Sequence, residues 1–452
     1  MAAIDKPALR FTNKALVAMT IPVILDALLS VVAGMVDSAM VSSAGEAAVS
    51  AVSLVDAINM LFITTFSGLT VGGSVVASQY IGKRDNRHAS IAANQLLYLS
   101  TGVAAVFMIV LLCLRVPVLR LIYGSIEPDV FENAEVYFFY TLLGYPFFAI
   151  GSSAAAVLRS MGRNRQAVTI TIFYNILNVI GNAVLIFGFK MGVAGAAIST
   201  SVSRVAFSVM GLWLVHNKSL PAHFEKLLKF RLDFDVIRRI VRVGVASGSE
   251  NALFYIGRLL LSSLISTFGT IAIAANSVAS SINNIGWVIV GAFGTVMLPV
   301  VGQCIGAGEM DQAKLYVKKL LTAATVTMVT LFGTIFLLRG QLVRLFDFQP
   351  EALDTCAYYT GVLALASLLS CYSLSFVPMH AFRAAGDVRY TVVLSLSTMF
   401  VFRVGLCFVL NALFPTMGLM CVCIGMWVDW VSRSVVNLIH YRRGKWLHKR
   451  MV

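Results

Sequence analysis

Long apolar runs separated by short polar breaks organise the chain. Twelve runs stand out, at 15–41, 50–78, 91–113, 134–158, 167–189, 193–215, 240–267, 272–302, 316–338, 354–381, 390–413 and 417–440. Each is long enough for a helix that crosses a bilayer, which needs about 20 residues. The run 50–78 carries Gly68, Gly72 and Gly73, where a tilt or kink is expected. The segment from Met1 to Lys14 is polar, and the run after it is too long for a cleaved signal, so that run reads as the first span. The pattern predicts an all-α integral membrane protein with twelve transmembrane helices.

Composition agrees with this reading. Of 452 residues, 58% are hydrophobic and 12% charged, and mean hydropathy is +0.84. A soluble chain this apolar would lack the polar groups to cover its surface. A soluble enzyme, a secreted disulfide scaffold and a disordered protein are excluded. The seven cysteines fall mostly in apolar stretches and read as small helix fillers. Neither Cys421-x-Cys423 nor the six scattered histidines show a metal spacing. The net charge of +14 would suggest nucleic acid in a soluble protein. In a membrane protein it is explained by Lys and Arg gathered in cytoplasmic loops, and no nucleic-acid partner is expected. With both termini placed in the cytoplasm, 26 of the 35 basic residues fall on that side and five on the other, which supports an even number of spans.

The sequence also repeats. Laid over itself so that Gly45 falls on Gly269, the chain places Ala48 on Ala272 and Ala51 on Ala275. By the same shift the segment Val76 to Gly82 falls on Val300 to Gly306, and Arg159, Gly162 and Arg165 fall on Arg383, Gly386 and Arg389. Two six-helix bundles follow: an N-terminal lobe at 1–215, a cytoplasmic linker at 216–237 and a C-terminal lobe at 238–452. Six helices per half make this a parallel repeat, with the substrate path expected between the halves. The linker carries Pro221, Asp233, Asp235 and a basic cluster suited to anionic head groups.

Four stretches resemble the multidrug and toxic compound extrusion (MATE) family, prokaryotic branch. They are Ile21-Pro22 followed by Met35 to Val41; Gly45 to Ala51 with Val76 to Gly82 and their echo at 269–306; Leu158 to Gly162 and its echo Phe382 to Asp387; and Gly192 to Thr200. Their order, spacing and duplication carry the resemblance over essentially the whole chain. It implies cation-coupled antiport that exports amphipathic, often cationic, molecules.

A charge at mid-bilayer costs at least ~2.5 kcal/mol, so each ionisable group within a span needs a reason. Asp37 stands fifteen residues after Pro22, which can bend the first helix. A proton or Na⁺ on Asp37 would remove the cost of burying its charge and permit a different helix position. The resemblance implies that Asp37 is the ion-coupling site, working with Asn178, Asn182 and Thr200. Asn182 stands where the family has a second carboxylate, which weakens the case for tight Na⁺ binding and leaves both ions open. Apart from Na⁺ at Asp37, no metal or cofactor is expected.

Asp26 and Glu250 coincide under the same shift, and both could line the substrate cavity and attract cations. The plainer reading of Glu250 is a pair with Arg258 or with an Arg from another helix. Tyr145, Trp287 and Met297 would suit an apolar drug pocket. Asp429 and Arg433, four residues apart, read as an intrahelical ion pair, and Arg403, Arg204 and Arg258 as further structural ion-pair members. Asp56 reads as hydrated near a helix end. No catalytic constellation or phosphate-binding loop is present, so the chain reads as a secondary transporter and not as an enzyme. A lipid-linked glycan flippase of the same superfamily is the alternative. A monomer in the bacterial inner membrane, with small-molecule substrates, is expected.

Overall fold

A computed structural model describes residues 9–124, 126–225, 231–344, 346, 350–449 and 451–452. Residues 226–230 of the expected linker lie outside this set. Fifteen α-helices are described, and they fall into the twelve spans expected from the sequence. Eight spans are α1 (Asn13–Ser42), α2 (Glu46–Gly82), α3 (Asn86–Tyr123), α7 (Gly192–Val215), α8 (Phe234–Ser266), α9 (Thr270–Ala307), α10 (Met310–Val343) and α15 (Leu419–Arg443). Two are bent pairs: α4 (Pro128–Leu143) with α5 (Tyr145–Ser160), and α11 (Pro350–Leu369) with α12 (Tyr372–Ala385). The last two contain a π-helical stretch. One is α6 (Asn164–Asn182) with Ala183–Gly188; the other is α13 (Val388–Ser397), Thr398–Gly405 and α14 (Leu406–Leu413). Among the described residues, nine continuous spans and the two bent pairs are apolar enough to cross a membrane. The twelfth, α8, is kept less apolar by Glu250, Asn251 and Arg258.

The bends have local causes. Between α4 and α5 the axis turns by 46° at Gly144, two residues before Pro146. Proline supplies no N–H, so nearby carbonyls need other donors. Ser201 Oγ and Arg204 Nη1 of α7 supply them, reaching the Tyr140 and Thr141 carbonyl oxygens at 2.6 and 2.8 Å. Between α11 and α12 the axis turns by 52° at Ser370 and Cys371, where Cys371 holds φ at +50°. Pro22 lies inside α1 without ending it, and buried Asn164 donates to the Met19 carbonyl in the same turn at 3.1 Å.

The chain forms two compact units. One holds the described residues of 14–248 with Val452; the other holds those of 249–451 with residues 9–13. The division falls inside α8. In the first unit, α2 and the start of α8 meet through glycines. A Cβ on Gly68 would lie 2.5 Å from the Gly244 carbonyl oxygen, and one on Gly72 would strike the Ile240 carbonyl. This is close packing through small residues at four-residue spacing. In the second unit the N-terminal segment is tied to α10. Phe11 N–H donates to Tyr316 Oη at 2.8 Å, and Lys319 Nζ donates to Asn13 Oδ1 at 2.7 Å.

Candidate functional site

The first unit brings Asp37 and Asn182 together: Asn182 Nδ2 donates to Asp37 Oδ1. Asn182 is fully buried at the junction where α6 becomes π-helical, and its Oδ1 has no hydrogen-bond partner. π-bulges re-aim side chains and recur at functional sites. One turn earlier, Asn178 Nδ2 donates to Thr200 Oγ1 at 3.2 Å, and the Asn178 carbonyl accepts from Ser199 Oγ at 2.8 Å. The four residues expected to form an ion-coupling set thus make two hydrogen-bonded pairs on α1, α6 and α7. A carboxylate held by one amide can take a proton. Asp37 Oδ and the unpartnered Asn182 Oδ1 are also oxygen donors that a monovalent cation accepts. Among the described residues, no group of three His, Cys, Asp or Glu could hold a metal ion.

Beside this set lies a network that the sequence did not reveal. Asp56 Oδ1 accepts from Asn59 Nδ2 at 3.0 Å and from Tyr137 Oη at 3.4 Å. Tyr145 Oη donates to Asn59 Oδ1 at 2.6 Å, and the Tyr145 ring stacks on Phe62 at 3.6 Å. Arg204 takes no carboxylate within ion-pair distance among the described residues. It caps α4 and lies 5.6 Å from the ring centres of Tyr145 and Phe148. The Asp56–Asn59 spacing of three on one helix was the available signal.

Asp26 and Glu250 are both buried and both face an arginine. Arg159 Nη2 lies 4.0 Å from Asp26 Oδ2, whose Oδ1 has no partner. Arg383 Nη2 lies 2.5 Å from Glu250 Oε2, and Ser395 Oγ donates to Glu250 Oε1 at 2.5 Å. The two arginines are themselves equivalent under the internal repeat, which therefore places matching pairs in the two units. In the second unit the network continues from Ser395 to Arg433 Nη1 at 3.0 Å. Asp429 then bridges Arg433 at 3.0 Å and Arg403 at 2.7 Å. Arg258 is exposed and has no ion pair among the described residues; the acid expected as its partner, Glu250, is held by Arg383. Tyr145 and Met297 are fully buried, whereas Trp287 is 44% exposed.

The sequence model of the MatE family matches residues 22–184 and again 246–409, two copies whose starts are related by the same shift that lays Gly45 on Gly269. The chain belongs to the MatE family. It is 26% identical to the uncharacterized transporter YisQ of Bacillus subtilis, over 99% of this chain and 98% of that one. It is 23% identical to the probable multidrug resistance protein NorM of Thermotoga maritima, over 97% and 94%. Solved MATE structures share the fold. One in a bent conformation superposes with a TM-score of 0.89 at 23% identity, over 96% of each chain. A Pyrococcus furiosus transporter of the wider MOP superfamily, described as having a binding pocket of reverse polarity, gives 0.87 at 23% identity over 96% of each. The protein is therefore a multi-pass membrane transporter of the MATE family.

Proposed function

We propose that this MATE transporter is a secondary antiporter, exporting small amphipathic molecules by alternating access in exchange for H⁺ or Na⁺ at Asp37. The observation that carries this reading is the Asp37–Asn182 contact at the π-helical turn of α6. A charged Asp37 accepts from the Asn182 amide. Protonation weakens that bond, because a neutral carboxyl is a poorer acceptor. Na⁺ would instead draw Asp37 and Asn182 Oδ1 around itself. Either event changes how α1 is held against α6 and α7. Linkage then requires ion and substrate to alter each other's affinity by the same factor. Several relatives are described as probable multidrug resistance proteins, which supports drug-like cargo. The basic-residue distribution supports cytoplasmic termini in an inner membrane.

The test is ethidium efflux from proteoliposomes, wild type against Asp37→Asn, with a pH gradient and an Na⁺ gradient imposed separately. Efflux driven by one gradient and lost in the variant is expected, and names the ion. Folded wild type that moves ethidium under neither gradient would refute the reading and favour a flippase.

A further inference from the structure

The ionisable groups of the networks described above are balanced differently in the two units. In the first, Asp26, Asp37 and Asp56 outnumber Arg159 and Arg204. In the second, Arg258, Arg383, Arg403 and Arg433 outnumber Glu250 and Asp429. Glu250 and Asp429 are already bound by Arg383, Arg403 and Arg433. Arg258 is left over. It is exposed.

One turn before Arg258 on α8, Phe254 stacks on Trp287, with ring centres 6.0 Å apart and planes within 17°. The Arg403 guanidinium lies 5.1 Å from the Phe254 ring centre. Trp287 is braced edge-on by Phe376 at 5.2 Å. The result is an aromatic shelf, half exposed, backed by one cation and followed by another. Under the internal repeat the counterparts of Phe254, Trp287 and Arg258 in the first half are Ser30, Ile63 and Gly34, so the shelf is peculiar to the second half.

We infer that this shelf is a substrate subsite for planar aromatic molecules carrying an acidic group, with the ring on Trp287 and Phe254 and the anion on Arg258. The inference rests on the export reading and adds aromatic anions and zwitterions to its cargo. Ring stacking serves any planar molecule, whereas an unpaired guanidinium inside an apolar span favours an anion and repels a cation. Arg403 cannot substitute, because Asp429 already holds it.

The experiment uses the full-length protein in nanodiscs and two probes, radiolabelled 2-naphthoate and ethidium, by equilibrium dialysis. Arg258→Gln is expected to weaken 2-naphthoate about 10-fold or more, the loss of a charge-assisted bond. Arg258→Lys should recover part of that loss, and ethidium affinity should stay level or rise. Trp287→Ala should weaken both probes. Arg258 is exposed, so its variants are expected to fold. Unchanged 2-naphthoate affinity in Arg258→Gln, or an equal fall for both probes, overturns the inference. Ethidium efflux that persists without saturable 2-naphthoate binding sinks the subsite and leaves the export reading standing. Saturable 2-naphthoate binding with the expected Arg258 dependence, but no probe moved by either gradient, sinks the export reading instead.

Discussion

The repeated arginine–carboxylate pairs allow a controlled comparison within one molecule. Arg383→Met and Arg159→Met remove equivalent partners, but the distances differ: 2.5 Å to Glu250 and 4.0 Å to Asp26. With an effective dielectric constant of about 20, unit charges attract by roughly 7 kcal/mol at the shorter separation and roughly 4 at the longer. Desolvation offsets much of either figure, so the ratio is more useful than the values. Removing one partner of a tight buried pair costs about 3–5 kcal/mol, because the other charge is stranded. That range applies to Arg383, and about half of it to Arg159, where Asp26 already has a bare oxygen. The assay is the midpoint of monodispersity loss on heating in detergent, for each variant and for Glu250→Leu with Arg383→Met. Arg383→Met should fall furthest, and the apolar double replacement should recover most of the loss. Equal midpoints for the two single variants, or a lower one for Arg159→Met, would refute the distance argument.

Two further outcomes follow from the packing. Gly72→Leu should prevent stable folding, since its side chain meets the Ile240 carbonyl on α8, whereas Gly102→Leu, with open space around it, should fold normally; size-exclusion recovery separates them. At the carboxyl end, buried Asp387 accepts from His440 Nε2 at 2.9 Å and Lys449 Nζ at 2.7 Å. Burial alone would raise its pKa, but these bonds outweigh burial and hold it below the ordinary value. A depressed pKa stabilises above the unfolded-state value, near 4, and that contribution is lost as pH falls through the folded one. Amide exchange in Trp446 to Lys449 should therefore reveal no loss of protection from Asp387 protonation between pH 7.5 and 5, while Asp387→Asn should raise exchange at both.

The twelve spans were legible because a bilayer demands continuous apolar length, and the α4–α5 bend lies beside Pro146, which lacks a donor. The matching bend at Cys371 has no such marker. The equivalence of Asp26 and Glu250 was visible in the repeat, and so was that of Arg159 and Arg383. What the sequence could not show is that each acid meets the arginine of its own half, since those contacts join positions far apart in each lobe. Arg204 was misleading for a related reason. A buried arginine suggests a carboxylate, but the carbonyls freed at the α4–α5 break are acceptors that only the folded chain reveals. The tie of the N-terminal residues to α10 likewise joins distant stretches, Phe11 to Tyr316.

The repeat itself separates general needs from particular ones. The Asp26–Arg159 and Glu250–Arg383 pairs occur in both halves, so they serve something each six-helix lobe requires. The residues of the proposed ion set and of the arginine cluster around Asp429 do not repeat. Asp37, Asn178, Asn182 and Thr200 fall on Leu261, Phe402, Leu406 and Ile424 in the second half. In reverse, Arg403, Asp429 and Arg433 fall on Val179, Val205 and Val209 in the first. At these positions each lobe has apolar side chains where the other has its polar or charged group. If these groups were needed merely to build a lobe, the half lacking them would not fold as it does. Their cost within a membrane calls for a separate return. On the readings proposed above, the carboxylate of Asp37 beside a π-helical turn in one lobe serves a cation, and the arginine beside an aromatic shelf in the other serves an anion. The proposed ion site and the proposed subsite, in different halves of the sequence, would be coupled only through a change in the chain that both sense. The helix that the division cuts near its middle is α8, which carries the Gly244–Gly248 contact in its first half and Phe254 and Arg258 further along.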